Sequence, residues 1–123
     1  MKKLNKYFEF IDNSFSEEEL LEMANVTEET TGIEGVVLWI GPNPKSHGKR
    51  VKVSNIPNKI SVSDCFTITL PKFEIIGEVN NKLIDSVKMS KIKEFINNNL
   101  ELIEKYSDYQ ISTKQLLDGL RPV

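Results

Sequence analysis

Apolar positions along the chain change their period repeatedly, and each change marks a new element. The first fifteen residues mix Leu4, Tyr7, Phe8, Phe10 and Ile11 with lysines, at a spacing that fits either a short helix or a strand. Ser16-Glu-Glu-Glu19 has the form of a capping box, with Phe15 and Leu20 at the two ends of a hydrophobic staple. This predicts a helix from Glu17 to about Ala24. The run Thr27-Glu-Glu-Thr-Thr-Gly32 breaks that pattern with β-branched residues and a glycine. It delivers the chain into Gly35-Val-Val-Leu-Trp-Ile40, which reads as a buried strand.

Residues 41–48 hold two prolines and two glycines, cannot continue a sheet ladder, and read as the loop of a wide hairpin. The return strand is Lys49–Ser54. Asn55-Ile-Pro-Asn58 is a further turn, Cys65–Leu70 alternates at period two, and Pro71-Lys72 connects it to Phe73–Glu78. From Met89 the apolar set becomes Met89, Ile92, Ile96, Leu100 and Ile103, the stripe of an amphipathic helix over residues 89–106 that covers one sheet face. Ser112-Thr-Lys-Gln115 is a second capping box, and Leu116, Leu117 and Leu120 line the inner side of a short last helix ending near Gly119. The expected fold is α+β: a four-stranded antiparallel sheet with C-terminal helices packed on one face and a short N-terminal helix. At 123 residues it forms one domain, burying about two-thirds of its unfolded surface.

Composition narrows the class without naming a function. With 39% hydrophobic and 28% charged residues the chain reads as globular, not disordered. No apolar stretch approaches the roughly 18 residues needed to span a bilayer, and the N-terminus lacks the apolar region of a secretion signal. The expectation is a cytoplasmic protein with no membrane partner. Cys65 is the single cysteine, so an internal disulfide and a cysteine metal cluster are both excluded; it reads as a buried small apolar residue at the start of a strand.

Charge is the informative feature. Between Glu34 and Asp64 there is no carboxylate, whereas Lys45, Lys49, Arg50, Lys52 and Lys59 fall in that gap with His47. Residues 35–63 therefore carry +5 and the rest of the chain −7, one anion-attracting zone in an acidic protein. In the return strand Val51 and Val53 point one way and Arg50, Lys52 and Ser54 the other, since successive side chains alternate across a strand. Thr67 and Thr69 fall opposite Phe66, Ile68 and Leu70 in the next strand. With helices over the apolar face, Arg50, Lys52, Thr67 and Thr69 line an open polar surface beneath the His47 loop. An arginine fork, a lysine point charge, hydroxyls and glycine N–H groups are the parts of a phosphate site. The plainer alternative is a solvated face that confers solubility, although surfaces built for solubility mix both signs.

Other residues carry weaker signals. His47 is the only histidine, which rules out a histidine pair within one subunit; it either contacts phosphate or stabilises its loop. Trp39 reads as core. Tyr106 and Tyr109 bracket an inter-helix turn, where they either stack on a base or pack helix on helix. Arg121 either binds the last helical carbonyls or reaches a neighbouring subunit. No phosphate loop, dinucleotide fingerprint or Ser/His/Asp set is present, and Asp12, Glu74, Glu78 and Asp85 stand as isolated carboxylates.

The ordered set Met23-Ala-Asn-Val, Thr30-Thr31-Gly32, Trp39-Ile40, His47-Gly-Lys-Arg-Val-Lys-Val-Ser54 and Leu120-Arg-Pro-Val123 resembles a family of small, mostly uncharacterised bacterial and prophage proteins, over about residues 22–123. In character the chain is also similar to the sponge proteins that counter Thoeris defence. That likeness implies sequestration of a cyclic ADP-ribose-type signal without cleavage, in a homo-oligomer, and assigns no individual residue. The expected function is thus non-enzymatic binding of a phosphate-bearing, nucleotide-derived small molecule, with no cofactor and no metal, at His47, Lys49, Arg50, Lys52, Thr67, Thr69, Tyr106, Tyr109 and Arg121. Nucleic acid is the less favoured partner. The alternatives are a small ribonuclease toxin using Arg50, Lys52 and His47 at a scissile phosphate, and a protein-interaction adaptor.

Overall fold

The computed structural model describes residues 24–41, 49–61 and 63–123. Its architecture is α+β, with a five-stranded antiparallel sheet in the order β1-β2-β3-β4-β5 and helices toward the C-terminus. The strands are β1 (Ala24–Val26), β2 (Leu38–Ile40), β3 (Arg50–Ser54), β4 (Cys65–Thr69) and β5 (Ile75–Ile76). The helices are α1 (Glu28–Thr31), α2 (Ser86–Asn98), α3 (Leu100–Ser107) and α4 (Thr113–Gly119).

Strand parity builds the core. Register places Ala24, Val26, Leu38, Ile40, Val51, Val53, Phe66 and Ile68 on one face. There they join Ile92, Phe95 and Ile96 of α2, Ile103 and Tyr106 of α3, Leu116 of α4 and Leu120 in a single buried cluster. The helices therefore cover the apolar face, as the amphipathic stripes require.

Four details differ from the sequence pattern. Ala24, expected at the end of a helix, opens β1, where Ala24 and Val26 are buried beside β2; the predicted helix over Glu17–Met23 and its capping box lie outside the described residues. A fifth strand results. The Thr27–Gly32 run is not a break but a single helical turn, closed by Gly32 in the left-handed region at φ 75° with its N–H on the Glu28 carbonyl. The first apolar run begins as a tight corner: Gly35 takes φ 73°, donates its N–H to Glu28 Oε1 at 2.8 Å, and leaves only Leu38–Ile40 as strand. Finally, the helix predicted over 89–106 begins at Ser86, capped by Asp85 Oδ1 on the Lys88 N–H, and is interrupted at Asn99. The Asn99 side chain binds the Phe95 carbonyl and both main-chain groups of Arg121, tying the C-terminal tail to the junction of α2 and α3. The tail continues to α1, where the Val123 N–H meets the Thr31 carbonyl at 3.0 Å.

Candidate functional site

The second sheet face is polar and cationic. Cross-strand pairs Arg50–Thr69, Lys52–Thr67 and Ser54–Cys65 stand side by side, and Trp39 pairs with Lys52 from β2 while Ile76 pairs with Thr67 from β5. One row thus reads Asn25, Trp39, Lys52, Thr67, Ile76 across all five strands. The shared facing of Arg50, Lys52, Thr67 and Thr69 follows from period-two alternation alone.

The exposure of that face does not match the expectation. Arg50 is 8% exposed, Lys52 4% and Thr67 2%, so β3 is buried along its whole length on both sides and the surface is not open. Alternation in residue type sets which side a residue takes; it does not set which side meets water. Arg50 and Lys52 both have interaction partners, as buried cations require, because an uncompensated charge at such a position costs several kcal/mol, roughly, after relaxation. Lys52 Nζ also lies 3.8 Å from Cys65 Sγ. Cys65 does open β4, but it is half-buried rather than fully enclosed. Thr69 commits its hydroxyl to a turn, with Oγ1 accepting the Glu74 N–H at 3.2 Å. Trp39 is buried as expected, but on this face and outside the main apolar cluster.

The remaining predicted residues separate. His47 lies outside the described residues. Lys49 has the parity of Val51 and Val53, so it leaves the cationic face, and its Nζ donates to Asp108 Oδ2 at 3.0 Å. Tyr106 belongs to the core, its hydroxyl 3.0 Å from Thr113 Oγ1, so it joins α3 to α4 and does not reach outward. Tyr109 is 58% exposed at φ 61°, just past α3. The Arg121 side chain is exposed beside a groove of about 270 Å³ lined by Asn98, Glu101, Leu102, Lys105 and Gly119. A second groove, of about 360 Å³, is acidic, with Glu28 and Glu29 near Val37 and Asn58. Arg50, Lys52, Thr67 and Thr69 line neither.

Sequence reading missed Ser107 and Asp108, which meet the chain at Gly41 and Lys49. The signal was faint: a serine and an aspartate at a helix end read as ordinary termination. Among the described residues no group of three His, Cys, Asp or Glu side chains is placed to hold a metal ion, and no described helix is long and apolar enough to cross a membrane. Comparison with protein-family models, with curated proteins and with solved structures finds no match to this chain.

Proposed function

We propose that the protein binds a small phosphate-bearing molecule of nucleotide type at the cationic sheet face and holds it without turnover, as a sequestering protein does. One observation supports this reading: Arg50 and Lys52 stand two residues apart on one face, opposite Thr69 and Thr67, with the Trp39 indole next to Lys52. The arginine fork suits a phosphate, the ammonium a second one, and the indole a base. Both cations are buried in a hydrogen-bonded strand, so the rotamer freedom that a flexible surface lysine loses on binding, up to about 2 kcal/mol per side chain, is already gone. Because the face is covered and both cations are already partnered, binding on this reading requires a ligand to displace what covers Arg50 and Lys52 and to take over their present interactions.

Native mass spectrometry of protein purified from cells is expected to show a co-purifying nucleotide. In calorimetric titrations against ADP-ribose, cyclic ADP-ribose and cyclic dinucleotides, Arg50→Ala is expected to weaken binding by about 1.5–3 kcal/mol, the loss of charge-assisted hydrogen bonds. The salt dependence should be shallow, since few phosphates are contacted. Ligand recovered after heat denaturation should be chemically unchanged. Wild-type affinity in Arg50→Ala alongside a collapsed melting temperature would remove the reading. Cleavage of a short RNA, lost in Arg50→Ala or His47→Ala, would replace it with ribonuclease activity.

A further inference from the structure

The two chain positions that flank residues 42–48 are held from a single point. Gly41, just after β2, accepts from Ser107 Oγ at 3.1 Å, and Lys49, just before β3, donates to Asp108 Oδ2 at 3.0 Å. Ser107 is the last residue of α3 and Asp108 its C-cap. The contacts span 66 and 59 residues of sequence, so neither follows from local backbone geometry. Ser107 is buried, whereas the Lys49 and Asp108 side chains are 28% and 38% exposed. Lys49 is also fixed through its main chain, its carbonyl accepting the Leu70 N–H at 2.9 Å. Its ammonium sits at the C-terminal end of a helix, where carbonyl dipoles favour a cation.

We propose that Ser107 and Asp108 are positioning residues of the cationic face: together they anchor Gly41 and Lys49, the positions just beyond the last β2–β3 ladder pair Ile40–Val51, and so hold the end of the ladder that carries Arg50. Lys49 is on this account a strut, not a ligand contact. Asp108 neutralises it and withdraws it from competition for a phosphate. The ligand consequence rests on the binding reading above, while the mechanical consequence does not.

Asp108→Asn keeps the shape and removes the charge. Tryptic cleavage after Lys49 is expected to accelerate severalfold in this variant at an unchanged melting temperature, because a neutral amide holds the lysine ammonium less tightly than a carboxylate does. Titration with ADP-ribose is expected to show affinity about two- to fivefold weaker, the range of one partly exposed ion pair. The charge exchange Lys49→Asp with Asp108→Lys is expected to restore affinity, whereas Lys49→Asp alone does not. If Lys49 is itself a ligand contact, the exchange fails to rescue and the proposal falls. Binding by wild type with equal affinity in Asp108→Asn also overturns it and leaves the binding reading standing. If wild type does not bind ADP-ribose, the binding reading is what fails for this probe, and the tryptic rate alone decides the positioning claim: no acceleration refutes it.

Discussion

Asn55 shows how much one polar residue can organise. It is buried at the end of β3, and its Nδ2 donates to Asp64 Oδ1 at 3.0 Å and to the Glu78 carbonyl at 2.9 Å while its Oδ1 accepts the Asn80 N–H at 2.9 Å. Three segments distant in sequence are joined by one amide, and every donor and acceptor it brings into the interior is used. Asn55→Ala strands a carbonyl and an N–H there. At roughly 1 kcal/mol per bond plus the penalty for unmet groups, the expected loss is about 2–4 kcal/mol. Urea denaturation checks it, and a loss below about 1 kcal/mol would mean that water replaces the amide at no cost. The buried cations obey the same accounting: Arg50 and Lys52 were placed on one face by alternation, but alternation says nothing of their burial.

Among the elements, those with local signals were legible. Ser112 accepts the Gln115 N–H at 3.1 Å and Gln115 Oε1 accepts the Ser112 N–H at 2.8 Å, the reciprocal pair that the four-residue pattern predicts. Ser112→Ala is expected to cost about 0.5–2 kcal/mol, read as a shift in denaturation midpoint; no shift would show that α4 draws its stability from Leu116 packing alone. The shared face of β3 and β4 was likewise visible, because period-two runs fix which side each residue takes. The interruption at Asn99 was not, because it depends on the main chain of Arg121, which enters only once the tail is folded back. β1 was hidden for another reason: three residues give too short a run to outweigh the helix formers before them. The short β5 reflects a corner at Phe73, whose φ of 59° bars extended backbone there.

At the scale of the whole molecule, β5 is an edge of the sheet among the described residues. β5 has only two residues, Ile75 is partly exposed and Ile76 is 57% exposed, and β5 pairs on one side with β4. An edge strand with apolar side chains is a template for another strand. A second copy of this chain is the expected occupant, since a two-fold axis beside β5 sets Ile76 against its own equivalent and closes the assembly. Ile76 pairs with Thr67, so such an axis also brings the two cationic faces next to each other, where a ligand with several phosphates gains from both. Tyr109 and Arg121 are the exposed groups that remain available to a neighbour, Tyr106 being committed to its own core. Sedimentation velocity at micromolar concentration is expected to show a dimer or a multiple of it, shifting toward monomer in Ile76→Lys, where buried apolar area is exchanged for like-charge repulsion across the axis. A single species at the 14.1 kDa monomer mass, with and without ADP-ribose, would remove the shared-edge arrangement and leave each cationic face to act alone.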